Sequence, residues 1–307
     1  MTTSEFSTKD LGSLNYFLGL EAHRTSSGLF LSQTKYALEI LQRAHLVDSK
    51  PVCTPMVVAQ HLSTTGPDFD DLHLFRSLVG ALQYLTITRP DITHAVSVVS
   101  QFMHKLSISH FLAVKRILRY IKGTLRFGLS FTPSSSQELL AYSDADWAGC
   151  PDTRRSISGY AIYFGDTLVS WSSKKQPIVS RSSCESEYRA LAITAFEVKW
   201  LQHLLQDLRG ELKIQYVPTH LHLADIFTKS LGRPTFIFLR PELRVHDFDT
   251  LGLPGGRGMV CIILVFDVLN IYGWFLMFCC MFEISISGIS GGGGVNMVML
   301  FETEIII

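Results

Sequence analysis

The chain has 307 residues and 27 Lys+Arg against 27 Asp+Glu, so it has room for two domains of ordinary size, and its net charge gives no sign of a nucleic-acid partner. Its six cysteines include no CxxC pair; that fits neither a zinc site nor a secreted disulfide framework, and suits a reducing compartment such as cytoplasm or nucleus. The opening MTTSEFSTKDLG is polar and lacks the apolar stretch of a signal peptide.

Two short apolar strands, Leu14–Leu20 and Leu29–Leu31, are expected first, joined by the turn-like Thr25–Gly28. Ser32 is placed to cap a helix with Ala37, Ile40, Leu41 and Ala44 on its buried face, closing before Pro51. Val58–Asp71 reads as a solvated polar loop. Helical spacing then takes over: Leu74, Leu78, Ala81 and Leu85 share one face, Arg89–Pro90 breaks the helix, and Ile92, Val96, Val99 and Phe102 repeat in the next. A third helix, from about Ser109 to Lys122, buries Val114, Leu118 and Ile121.

Charge is uneven along the chain. No Asp or Glu occurs between Asp91 and Glu138, and within that window Lys115, Arg119 and Lys122 fall along one helical edge with Arg116 beside them. A cation row without intervening acid suits sequence-independent contact with phosphates. The same row also serves as an ordinary solvated helix face. Arg126 is expected on the strand RFGLSF, and FTPSSSQ (Phe131–Gln137) reads as a linker between domains.

The most informative stretch is Leu139–Leu208. LLAYSDADWAG is a short strand ending in acid, SISGYAIYFG and TLVSWSS are two strands meeting at Gly165–Asp166, and SRSSCESEYRALA starts a helix. Ser182 with Glu185 fits a capping box. Tyr188, Leu191, Ala195, Val198, Leu201 and Leu205 are expected as the stripe facing the sheet. Glu187 flanks that stripe, so Glu185 is assigned to capping and Glu187 to chemistry. Acids from a strand end and a helix start can hold a divalent ion. Glu211–Pro218 is then expected as a strand and His220–Leu231 as a helix with Leu223, Ile226 and Phe227 inward. His220 and His222 read as surface histidines, Cys184 as a small filler, and Trp147 and Trp171 as core residues.

SDADWAG, SWSSKKQPIVSRSSCESEYRALA and YVPTHLHLADIFTKSL closely resemble the ribonuclease H domain of copia-type retrotransposon polyproteins. KDLGSLNYFLGLE and LSQTKYALEILQRAHLVDSKPVCTPM resemble the end of the palm and the thumb entry of the reverse transcriptase in that family. YLTITRPDI and AVKRILRYIKGT resemble its connection segment. The resemblance implies an α/β protein: a ribonuclease H-like mixed sheet with helices, preceded by a helical thumb and connection region. It divides the chain into 1–57, 58–130, 138–232 and a non-homologous tail, 246–307. It further implies a site where carboxylates bind two Mg²⁺ ions and cut RNA in an RNA–DNA hybrid, with Asp144, Glu187 and Asp225 as three of the four ligands.

The fourth is the difficulty. The family carries an aspartate in a CDN motif on a further strand, whereas only Arg209–Gly210 separate Leu208 from Glu211 here. Asp207 lies on the polar side of a helix and does not replace it. The nuclease frame is therefore expected to be truncated by one strand and its activity weak or absent. Polymerase activity is not expected, because the family's polymerase aspartates lie in a segment before this one. A non-catalytic nucleic-acid binder and a translated gene fragment without a selected role are the alternatives.

The composition shifts from Val245 onward. Met259–Phe282 is apolar enough to span a bilayer, although Asp267 inside it would cost about 2.5–3.5 kcal/mol. Gly291–Gly294 is a four-glycine run. A membrane anchor and translation past the natural end of a retroelement both account for this tail, and the second is the reading adopted.

Overall fold

Alternating apolar and polar residues at Leu20–His23 and the apolar run Leu29–Leu31 build a hairpin. In it β2 (Leu20–Thr25) pairs antiparallel with β3 (Gly28–Ser32), placing Leu31 opposite Ala22. The structure, a computed structural model, describes residues 15–58, 62–134, 136, 138–204 and 222–250. The apolar run expected as one strand to Leu20 is split: β1 (Tyr16–Phe17) ends in a tight turn at Leu18 and Gly19, both at positive φ, before β2 begins. Ser32 caps nothing. It is the last residue of β3, paired across to Glu21, and α1 (Thr34–Arg43) starts only after Gln33, which makes no side-chain cap. The Gln33 side chain instead accepts a 2.9 Å hydrogen bond from the Thr88 hydroxyl.

The helical periodicities appear as read. Asp71 caps α2 (Leu72–Leu85), accepting from the Leu74 amide at 2.8 Å. Pro90 opens a single 3₁₀ turn that leads into α3 (Thr93–Ser100), a place where its missing N–H costs no hydrogen bond. Ser107 and His110 close a capping box on α4 (Ile108–Gly123). Ala37, Leu78, Leu85, Ile92, Val96, Val99, Val114, Leu118 and Ile121 are all buried.

β4 (Phe127–Phe131) joins β3, and the last described strand, β8 (Val245–Asp247), returns to pair with β4. The described strands of this sheet run in the order β1-β2-β3-β4-β8, all antiparallel. A boundary at residue 246 therefore cuts through a strand: His246 lies opposite Gly128, and the Phe248 ring packs on Phe30 and His23.

After Phe131 the chain enters a second sheet of β5 (Leu139–Asp146), β6 (Ile157–Phe164) and β7 (Thr167–Lys175), antiparallel in that order. Gly165 at φ 56° makes the β6–β7 turn, a conformation that costs glycine little. The two sheets share one continuous apolar core, in which Tyr163 and Leu168 join Leu129, Phe131 and Leu243. The structure is thus mixed α/β with antiparallel sheets and several helices. No described helix is long and apolar enough to cross a membrane; 259–282, Glu211–Pro218, His220 and the Leu208–Glu211 junction lie outside the described residues.

Candidate metal centre

The second sheet is covered on both faces, and the face a residue occupies decides which partner it meets. Ser143 and Ala145 point toward α5 (Ser183–Leu204), whereas Asp144, opposite Gly159, points toward α6 (Asp225–Thr228). Strand alternation alone thus separates the neighbours of one acid from the next.

The row of α5 buried on the sheet is Ser186, Ala190, Thr194, Val198 and Leu201. The expected stripe holds at Val198 and Leu201 but not before them: Tyr188 is exposed, and Leu191 and Ala195 are only half-buried. Small residues let the helix approach closely, and their hydroxyls are satisfied. Thr194 bonds to Ser143 and its own helix, and Ser186 donates to the Ser183 carbonyl. Buried Gln176 fixes the start of the helix, donating to Ser158 and to the Ser186 carbonyl at 2.9 Å each.

This seating divides the two glutamates as the sequence suggests. Ser182 accepts from the Glu185 amide, and Glu185 turns back to the Arg181 amide and holds Arg189. Those contacts hold its carboxyl below the usual range. Glu187 instead reaches the sheet, where its Oε2 accepts from the Ala145 amide at 3.1 Å. β5 is an edge among the described strands, so Glu187 occupies an edge donor that would otherwise need water. Burial, followed by the charge of Asp144, pushes the Glu187 carboxyl up to about 7.

Asp225 arrives from the opposite face. Of the expected helix His220–Leu231 the described residues show one turn, with Leu223, Ile226 and Phe227 inward as read. Gly159 makes room for that turn, since a Cβ there would stand 2.6 Å from the Phe227 Cβ. The Thr228 hydroxyl donates to Asp144 Oδ2. Lys229 turns back so that Nζ lies 2.8 Å from Asp225 Oδ1 and 3.2 Å from Asp144 Oδ2. Asp144, Asp225 and His222 present ligand atoms all within 4.8 Å of one another, and Glu187 stands beside this group, not within it.

His222 is no surface residue. Its side chain is 20% exposed, with Nδ1 3.4 Å from Asp225 Oδ1. Burial disfavours the imidazolium, but Asp225 and Asp144 outweigh it and raise the His222 pKa. Burial likewise disfavours charge on Asp225 and Lys229; there too the ionic partners win, lowering the Asp225 pKa and raising that of Lys229. Thr228 and Lys229 did not stand out in the sequence, and His222 was read as a surface histidine, because each depends on where Asp144 lies across the sheet. The one available signal was spacing, with His222 three before Asp225 and Lys229 four after.

The donor chemistry fits a divalent cation. Two well-buried carboxylates converge, and an ammonium already balances their charge in the gap between them. The raised Glu187 gives a test of this electrostatic frame. A carboxyl near 7 when folded and 4.5 otherwise costs stability as pH rises through that window. After discounting for solvent screening, Glu187→Gln is expected to stabilise the protein by about 1–2 kcal/mol above that window and to leave it unchanged below it. Urea unfolding at both pH values measures the difference.

The cation row is less free than its spacing suggests. Arg116 donates to Thr54 at 2.8 Å and Arg119 to the Lys50 carbonyl at 2.7 Å, tying the 50–56 segment to α4. Lys115 lies over the Phe111 ring; among the described residues it and Lys122 make no such tether. Arg126 falls just before β4 and pairs with Asp249. Trp147 is half-exposed, held by a hydrogen bond to the Ser180 carbonyl, and Cys184 is exposed, so neither is a core residue; Trp171 packs against the core.

Fold and site together define a mixed α/β protein with acids gathered at one rim of its second sheet. The chain is 51% identical over 198 residues to the uncharacterized mitochondrial protein AtMg00810 of Arabidopsis thaliana, covering 64% of this chain and 82% of the relative. It is 40% identical over 280 residues to the retrovirus-related Pol polyprotein from transposon RE1 of the same plant (76% and 19%). It is 41% identical over 216 residues to that from transposon TNT 1-94 of Nicotiana tabacum (67% and 16%). The chain belongs to the copia-type, retrovirus-related Pol polyprotein family, as a transposon-derived remnant that spans about a fifth of RE1's length. No family model and no solved structure matches it.

Proposed function

We propose that the second sheet with α5 and α6 is a ribonuclease H-like module, that Asp144, Glu187 and Asp225 are its Mg²⁺ ligands, and that it cleaves hybrids weakly or not at all. The observation that carries this reading is the convergence of Asp144 and Asp225, from a strand and an opposed turn, with Glu187 on the same rim. Bound divalent ions would polarise a phosphodiester and activate water. The chain's own residues supply the rest. Asp144 and Asp225 bind, Thr228 orients Asp144, and Glu187 adds a third carboxylate on the same rim.

Loss of activity follows from charge. Two ions need enough anionic oxygen to hold both, and the junction Arg209–Gly210 offers none. The RE1 alignment runs over 280 positions yet takes in only 76% of this chain, so several tens of positions of the relative face a gap here. That supports a lost segment. RNA–DNA hybrid or another nucleic acid is the proposed partner, with Lys115 and Lys122 the cations of the row best placed to meet phosphates.

A hybrid-cleavage assay with Mg²⁺ and with Mn²⁺ tests the proposal. No cleavage above that of Asp144→Asn is expected; robust turnover abolished by Asp144→Asn would contradict the loss.

A further inference from the structure

We propose that Asp144, His222 and Asp225 form a mixed oxygen–nitrogen site for one borderline transition-metal ion of the Zn²⁺ or Co²⁺ type, with Lys229 as the internal cation that the ion displaces. The inference rests on the reading of Asp144 and Asp225 as metal ligands and goes past it in the ligand set, the ion and the competitor.

The geometry points to His222. Its Nδ1 is buried and lies 3.4 Å from Asp225 Oδ1, an ionic contact that does not close a short hydrogen bond. A ring nitrogen held only by that long contact, beside two carboxylates, is suited to a metal. The three ligand atoms already lie within 4.8 Å of one another, and tetrahedral bonds of about 2.0–2.2 Å would bring such atoms to about 3.3–3.6 Å. The closure needed is small, and Lys229 Nζ now stands in the gap.

The segment is built to hold this arrangement. Leu223, Ala224, Ile226 and Phe227 are buried around it and fix the backbone that carries His222 and Asp225. The Lys229 side chain is 43% exposed, so its ammonium has a short way out to water when an ion arrives.

Ligand type sets the choice of ion. Mg²⁺ prefers oxygen and retains its waters, whereas imidazole favours zinc, cobalt and nickel over magnesium. A single nitrogen among two carboxylates shifts the site toward the transition ions. Losing the shared fourth acid removes the second Mg²⁺ position without touching these three groups, so the ion that remains is one held by nitrogen as well as oxygen.

Isothermal titration of the full chain with Zn²⁺ and with Mg²⁺ at mildly alkaline pH, with Co²⁺ visible absorption reporting coordination, tests this. Zn²⁺ is expected to bind at least about tenfold more tightly than Mg²⁺. His222→Gln, confirmed as folded by circular dichroism, is expected to lose about 10–100-fold in Zn²⁺ affinity with little change for Mg²⁺. Removing the competing charge with Lys229→Met is expected to raise affinity for either ion by about tenfold. If His222→Gln left Zn²⁺ binding within about threefold of the original while Asp144→Asn abolished it, the nitrogen ligand would be disproved and the carboxylate centre would stand. If Asp144→Asn also had no effect, both would fall. Unchanged affinity in Lys229→Met would remove the competitor.

Discussion

Replacing Asp91 with alanine is expected to lower the unfolding free energy by about 3–5 kcal/mol, because it strands a buried guanidinium. Arg89 and Asp91 are each 2% exposed. Arg89 donates to both Asp91 oxygens, at 2.9 and 2.7 Å, and its remaining nitrogen reaches the Thr124 carbonyl at 2.9 Å. The Tyr120 hydroxyl adds a 2.6 Å bond to Asp91. Burial opposes both charges, yet their mutual attraction prevails, holding Asp91 below the usual carboxylate range and Arg89 above its own. Asp91's contribution is therefore complete at neutral pH and is lost as pH falls through its lowered pKa. Removing both charges, in Arg89→Met with Asp91→Leu, should cost less than removing Asp91 alone. Urea midpoints of the three proteins decide; a loss under about 1 kcal/mol in Asp91→Ala would contradict the role assigned to the pair.

Gly159→Val is expected to have the largest effect on the site itself. A Cβ at 159 would meet the Phe227 Cβ at 2.6 Å, Thr228 Cγ2 at 2.8 Å and the Phe227 backbone carbon at 3.2 Å. Phe227 is fully buried and cannot swing aside, so α6 must lift from the sheet. Valine restores about 0.5–1 kcal/mol of backbone entropy lost at a strand glycine, but overpacking costs about 1–3 kcal/mol, so the net change is a loss. Because Gly159 faces Asp144 across the strands, the lift also parts Asp225 from Asp144. Metal affinity should fall with stability, and calorimetric titration beside urea unfolding measures both. A variant as stable and as metal-competent as the original would show that the close approach is not needed.

These two sites mark the limit of what the sequence discloses. The Pro90 break, the apolar faces of α2, α3 and α4, and the β5–β7 meander follow from spacing and turn residues, which are local signals. The Arg89–Asp91 pair was hidden because its other partners, Tyr120 and Thr124, are some thirty residues away. The first half of the α5 stripe was misphased because Ser186 and Thr194 face inward, their hydroxyls satisfied by neighbours that hydropathy does not register. Ser32 was taken from capping by the strand pairing that claims it. At the site, the acids were legible from motif resemblance, and Glu187 was separable from Glu185 by capping logic. Lys229, Thr228 and His222 were not, since only the crossing of α6 over Gly159 brings them to Asp144. The return of Val245–Asp247 to β4 was equally non-local.

The proposed centre is a place for a divalent cation between Asp144 and Asp225, with Glu187 on the same rim. A Mn²⁺ titration of the ¹⁵N-labelled full chain tests it most directly, by paramagnetic broadening of amide signals. Ala145, Glu187 and Asp225 are expected to broaden first, and Asp144→Asn is expected to abolish their selective loss. Broadening centred elsewhere, on the aspartates of the Asp68–Asp71 loop for example, or unaffected by Asp144→Asn, would contradict it.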